Sequence, residues 1–512
     1  MVHQPAVIFD RKIRSVCNLW TLFIFKKQNN MKNNFISAIS TKDARTENDQ
    51  VTNSTSGSAC VDLFFTLGAV RKLMNDQQGK KRVITKFEQA FNEDPLVATK
   101  LLFWARNVRG GAGERNVFRE IAKHMANADN ETILKNIEHI PFFGRWDDLM
   151  LFVDTPYENN ALDLYAKALK DGDALASKWA PRLSGKNNPA KKIFGNKLRT
   201  KMDLDPKSYR KLIVGLTNVV ETAMCNKSWE EIDYEKVPSL AITRYNKAFM
   251  KHDYERFNKF GEDVTEGDAK INVGAVYPYD IINTLKQGEN DTVVEAQWSK
   301  QIDFMEDSKE RLFTMVDTSG SMAVKVSGSV SAMDVAISLG LYISERTKGP
   351  FKDSFLTFSR NPQIQTVNGN LRQRYNQMSM SEWGMNTNVE KAFTHILERS
   401  VAHKLSNDEL PTVLLIISDM EFDYCVQDSN ATAMENIQKQ YSNHGFNVPK
   451  IVFWNVDNRH GNAPVTFKES GTALVSGLSP SILKGILKGN ITNPIEVMKD
   501  TISDEVYDRI II

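Results

Sequence analysis

Residues 312–322 read Leu-Phe-Thr-Met-Val-Asp-Thr-Ser-Gly-Ser-Met, and this stretch constrains the fold more than any other. Its first five residues are apolar or β-branched, the composition of a buried strand. The run stops at the carboxylate of Asp317, followed by the hydroxyls of Ser319 and Ser321 with Gly320 between them. A strand that ends in oxygen ligands and leads into a helical pattern is how an open α/β sheet builds a site at its carboxyl edge. Oxygen-only ligands suit Mg²⁺, Mn²⁺ or Ca²⁺ rather than zinc, with Mg²⁺ the first expectation. The plainer alternative is a strand-to-helix turn in which Asp317 or a serine caps the next helix.

The downstream sequence favours the site. Residues 331–348 have helical periodicity, 353–358 read as a short strand, and 384–388 form a polar loop before a helix at 389–405. Residues 411–417 are a fully apolar strand ending in Ser418-Asp419, just as the first strand ends in Asp317. Residues 448–456 are another buried strand, 472–475 a last strand and 479–487 a last helix. Alternation of this kind predicts an α/β, doubly wound parallel sheet.

The pattern Asp-x-Ser-x-Ser, then Thr387 on a later loop and Asp419 after a later strand, resembles the metal-ion-dependent adhesion site of von Willebrand factor A-type domains. The resemblance implies direct metal contacts from Ser319, Ser321 and Thr387, with Asp317 and Asp419 acting largely through bound water. It also implies an open coordination position for a carboxylate offered by a partner protein.

The first part of the chain reads differently. Its 512 residues allow two to four domains. The net charge of +2 says little about partners, but its distribution says more. Between residues 167 and 211 there are 13 Lys or Arg against 4 Asp, whereas from 308 to the end 20 basic residues face 22 acidic ones. Any polyanion-binding surface therefore lies in the first part. Its candidates are Lys178, Arg182, Lys186, Lys191, Lys192, Lys197, Arg199 and Lys201, with a solvated charged face as the alternative.

Helical spacing recurs at 83–92, 95–106, 116–125, 131–137, 147–153, 157–169, 206–224 and 239–251, without strand–helix alternation before Arg311. Many modest helices with short connections predict an all-α, HEAT-like array. The stretch Arg109-Gly-Gly-Ala-Gly-Glu-Arg115 lacks the Lys-Ser/Thr of a phosphate-binding loop and reads as a connection between helices. Tyr245, Phe249, Tyr254 and Phe257 recur at helical intervals and are expected in the core. Residues 1–60 read as a disordered leader or an extension of the frame, with Ser/Thr/Asn/Asp-rich linker at 40–58. The apolar stretch 19–25 is too short to span a bilayer. Four scattered cysteines in no metal-finger spacing fit free thiols in a reducing, cytoplasmic setting.

The whole arrangement resembles the Ro family of RNA-binding proteins, named for telomerase-associated, Ro and vault proteins. The likeness rests on Val61-Asp-Leu-Phe-Phe65, Arg109-Gly-Gly-Ala-Gly-Glu-Arg115, Phe143-Gly-Arg-Trp-Asp-Asp-Leu149, Lys178-Trp-Ala-Pro181 and Val316-Asp-Thr-Ser-Gly-Ser-Met322. It implies a ring of helical repeats at 61–307 closed by an A-type domain at 308–512, with a single-stranded RNA end entering the ring. The expected partners are small structured or single-stranded RNA and a carboxylate-bearing protein, with no DNA specificity and no membrane. The alternative is a protein-interaction scaffold with no RNA role. No catalytic set can be placed: there is no His-Glu-x-x-His and no phosphatase Asp-x-Asp.

Overall fold

The computed structural model describes residues 43–47, 49, 51–183, 189–217, 219–288, 291–357, 362–381, 389–422, 433–488 and 491–512. Among the described residues up to 299, every element after the strand pair Ala44–Arg45 and Val51–Thr52 is helical. The starts of these helices are written in the sequence. Ser58 caps α1 (Ala59–Leu67) by accepting from the Val61 N–H, and Asp76 does the same for α2 (Gln77–Glu93) through Gly79. Asp94 caps α3 (Pro95–Arg106), whose first residue is a proline with no N–H to satisfy. α1 and α3 are buried nearly all round, so each is packed between other elements rather than lying on a surface.

The array continues through α4 (Arg115–Asn127), α5 (Glu158–Lys170), α6 (Ala174–Trp179), α7 (Pro189–Lys201) and α8 (Pro206–Leu216). It ends in α9 (Ser239–His252), α10 (Tyr254–Glu266), α11 (Pro278–Lys286) and α12 (Asp291–Ser299). Phe249, Phe257, Phe260 and Val293 centre a separate small core between α9, α10 and α12. Phe249 and Phe257 are buried there as expected, but Tyr254 is 55% exposed. Two other expectations are corrected. The pattern at 206–224 is two helices, α8 and Val220–Asn226. Residues 146–152 form a 3-10 turn, because the Asp148 side chain folds back to accept from the Arg145 N–H and from Arg106 and Arg119.

The C-terminal part is a six-stranded sheet: β1 (Leu312–Val316), β2 (Ser354–Thr357), β3 (Ile364–Thr366), β4 (Val413–Ser418), β5 (Lys450–Asn455) and β6 (Thr472–Ser476). Its strand order is β6-β5-β4-β1-β2-β3. All neighbours are parallel except β2 and β3, so the sheet is mixed where a purely parallel one was expected. The chain leaves β1 towards β2, then returns to the other side of β1 as β4. The crevice between the carboxyl ends of β1 and β4 is thus the topological switch point. The first crossover is α13 (Ala332–Arg346), capped by Ser331.

The two parts share one hydrophobic core, running from Cys60 in α1 to Ile510. α1 lies against β6, with the Gly68 N–H donating to Ser476 Oγ (3.0 Å) and that hydroxyl donating to the Phe64 carbonyl (3.0 Å). At the far end of the array α11 packs on α13, and Lys286 Nζ lies 2.6 Å from Asp334 Oδ1. Near the C-terminus the Tyr507 ring stacks on Phe143 and its hydroxyl accepts from Asn107 Nδ2 (3.0 Å). The expected linker at 40–58 is also structured where it is described. Ala44–Arg45 pairs with Val51–Thr52, Thr46 Oγ1 donates to the Phe422 carbonyl (2.6 Å), and Asn53 forms a bridge with Ala463.

Candidate metal centre and basic cavity

β1 and β4 are hydrogen-bonded neighbours with Val316 opposite Ile417, so their terminal acids are delivered to one crevice. The Asp317 N–H donates to the Ile417 carbonyl (3.0 Å). Asp317 is buried and both its oxygens are engaged: Oδ1 accepts from the Ser319 N–H (2.9 Å) and Oδ2 from Ser418 Oγ (2.6 Å). Asp419, equally buried, accepts from the Glu421 N–H at 3.3 Å. Burial, reinforced by the negative charge of Asp419, pushes the Asp317 carboxyl up to about 7.

The serine turn completes the set. Ser319 Oγ and Ser321 Oγ stand 3.0 Å apart. Two ligands at right angles around an octahedral Mg²⁺, each about 2.1 Å from it, are separated by about 3.0 Å. These hydroxyls therefore fit one edge of such a shell, and the hydroxyl of Thr318, the residue before Ser319, is buried with no hydrogen-bond partner among the described residues. Asp317, Ser319, Ser321 and Asp419 are brought together, and the donor set fits a hard divalent cation. Thr387 lies outside the described residues. Among the described residues no group of three or more His, Cys, Asp or Glu is spaced to hold a metal ion. Two carboxylates with two hydroxyls fall outside that pattern.

Sequence reasoning missed Arg459, on the loop after β5. Its Nη2 donates to Asp419 Oδ2 and, at 3.4 Å, to the Ser321 carbonyl, and its Nε lies 3.0 Å from Asp457 Oδ2. Burial raises the Asp457 carboxyl to about 6 despite that guanidinium.

The eight basic candidates of the helical part separate in space. Lys178 and Arg182 line a cavity of about 1530 Å³. Lys197 is paired with Glu158 (2.6 Å) and Asp154 (3.3 Å), Lys201 with Asp163 (2.9 Å), and Lys191 lies 3.8 Å from Asp147. Arg199 holds the Leu204 carbonyl (2.7 Å), Lys192 is exposed on α7, and Lys186 lies outside the described residues.

The cavity is lined from both parts, by residues of the helical part and by residues 325–328 of the sheet part. Nine Lys or Arg border it against four Asp or Glu, which makes it a positive enclosure. Arg71 and Arg106 are neutralised there by Glu114 and Asp148. Arg115 and Arg182 form no ion pair among the described residues. Arg145 stacks its guanidinium 3.9 Å from the centre of the Trp179 ring while Asp147 holds its Nε at 3.0 Å. Burial, with neighbouring arginines adding to it, lowers the pKa of both Arg115 and Arg145. Lys325 reaches the cavity on the hairpin Lys325–Ser327 and Val330–Ser331, which follows the serine turn. The glycine loop at 110–113 serves packing: Gly113 has φ +69°, and a Cβ there would overlap the Tyr277 hydroxyl.

Among the described residues no helix is long and apolar enough to cross a membrane. Residues 312–509 match the family model of a domain of unknown function, DUF7788. Residues 46–171 and 206–310 match that of a second domain of unknown function, DUF2828. The chain is also similar to an uncharacterized protein, L728, of Acanthamoeba polyphaga mimivirus, at 28% identity over 518 residues covering 91% of this chain and 88% of that protein.

Proposed function

We propose that this protein is an RNA-binding scaffold of the Ro type, which holds a small non-coding or misfolded RNA by a single-stranded segment in the basic cavity. The observation that carries the reading is the enclosure itself: Arg115 and Arg182, without ion pairs among the described residues, and the half-buried Trp179 with Arg145 stacked on one face, around one space lined by both parts of the chain. Single strands are bound by this combination, because phosphates seek the cations and every base has a face to stack. A duplex offers no free base to the ring. The strand order and the antiparallel β3 support an A-type reading of the sheet, and the succession of helices before residue 299 supports a HEAT-like array. In this reading Ser319, Ser321, Asp317 and Asp419 hold a divalent ion, with Thr387 the further ligand implied by the resemblance. The ion, when bound, neutralises the buried acid pair.

The test is a salt titration of binding to a small RNA with a free single-stranded end. Lys178→Gln with Arg182→Gln should weaken binding across sequences and flatten the slope of log K against log salt by about 1.4, the share of two single-strand phosphate contacts. Lys192→Gln with Lys201→Gln, on α7 and absent from the cavity lining, should leave the slope close to wild type. Equal affinity of the cavity variant and wild type at every salt concentration would favour a protein-interaction scaffold instead.

A further inference from the structure

Arg459 sits against Asp419 of the acid pair, and its position is fixed from behind. Its own carbonyl accepts from Arg82 Nη1 on α2 (2.6 Å). The Asn458 N–H donates to the Ala69 carbonyl just beyond α1 (3.0 Å), and Asn458 Nδ2 to the Phe65 carbonyl (3.4 Å). Farther along the loop, Ala463 exchanges backbone hydrogen bonds with Asn53 (3.2 and 2.9 Å). The loop is therefore pinned to the helical part on one side while its guanidinium grips Asp419, Asp457 and the Ser321 carbonyl on the other.

Two buried acids that share a crevice need a counter-charge, and a guanidinium supplies one with several directed N–H groups. A divalent ion on the edge formed by Ser319 and Ser321 would draw on the Asp419 charge that Arg459 already uses. Two cations a few ångströms apart in a buried site repel strongly. We propose that Arg459 is the resident counter-cation of the Asp317–Asp419 centre, and that a divalent ion enters only in exchange for it.

The proposal rests on reading these residues as a metal centre. It has two consequences. With Arg459 in place the position beside Asp419 is closed, so a carboxylate from another protein is not accepted there. With a metal bound, the loop bearing Arg459 loosens from α1 and α2, so occupancy of the centre is transmitted to the contact between the two parts.

The experiment is calorimetric titration of the full chain with Mn²⁺, for wild type and Arg459→Gln, with thermal melts to show that both are folded. The variant should bind Mn²⁺ about tenfold or more tightly than wild type, because a nearby like charge is removed. Equal affinities would overturn the exchange while leaving the metal centre standing. No Mn²⁺ binding by either folded protein would remove the metal centre and the exchange with it. A measurement on wild type alone guards against a poorly folding variant: saturating Mn²⁺ should speed hydrogen exchange at the Asn458 amide. An unchanged rate with Mn²⁺ bound would equally overturn the proposal.

Discussion

Gly68 and Ser476 are in direct backbone contact, although 408 residues separate them: a Cβ on Gly68 would overlap the Ser476 carbonyl oxygen. This is where the first helix of the described residues meets the last strand of the sheet. Gly68→Ala must push α1 off β6, and overpacking of this kind costs about 1–3 kcal/mol. The full chain should lose that stability in a single urea transition seen alike by far-UV signal and tryptophan fluorescence. The residue 308–512 fragment should not fold alone, since α1 covers part of its core. Two separable transitions in the full chain would show that the parts are independent.

Asp317 makes the pH dependence of the metal-free protein run opposite to that of an ordinary acid. Unfolded, its carboxyl titrates near ~3.9. Folded, it titrates at about 7, through burial and the Asp419 charge. The folded state thus holds the proton more tightly. The stability it contributes is complete below the unfolded value and declines as pH rises to about 7, by on the order of 1–4 kcal/mol. Asp457, raised in the same sense, adds to the decline. Urea midpoints measured in chelator across this range should fall with pH in wild type and fall less in Asp317→Asn. A midpoint rising equally in both would contradict the burial argument.

Asp148 is fully buried and receives Arg106 Nε (2.8 Å), Arg119 Nε (2.6 Å) and the Arg145 N–H (2.9 Å). Asp148→Asn keeps the shape but leaves Arg106, itself buried, without its counter-charge. Removing one partner of a buried pair costs about 3–5 kcal/mol. Chemical denaturation should report a loss of that size, and a loss below about 1 kcal/mol would mean that water reaches the network.

Trp179 separates stacking from charge in the cavity. Trp179→Ala should weaken binding of a single-stranded RNA by about 1–3 kcal/mol without changing the salt slope, because a ring releases no counterions. Anisotropy titrations at three salt concentrations distinguish this from the Lys178 and Arg182 variants, which should change the slope.

The sequence made the switch point legible because both acids follow apolar or β-branched runs, Asp317 after 312–316 and Asp419 one residue beyond 411–417. It hid β3, whose three residues Ile-Gln-Thr are too short and too polar to stand out. It also hid Arg459, a single charge in a polar loop whose meaning comes only from Asp419 and Asp457 beside it. The basic run disperses in space for a physical reason. Charge density along a chain is not charge density in space: Lys197 and Lys201 are neutralised by Glu158 and Asp163 of α5. The cavity gathers Arg115, Arg145, Arg182, Arg244 and Lys325 from five separate segments, of which the basic run supplies only Arg182.

The seating of α1 on β6 also sets a timetable for synthesis. Seven of the nine residues of α1 are buried in the finished protein, and Ser476 reaches back to the Phe64 carbonyl within it. At about 5–20 residues per second, a ribosome needs roughly 20–80 s to travel from Gly68 to Ser476. For that interval the nascent chain carries an apolar helix whose covering strand has not been made. The ribosome-bound helical part should therefore be the stage most dependent on chaperones, and the release of the last strand the step that ends that dependence.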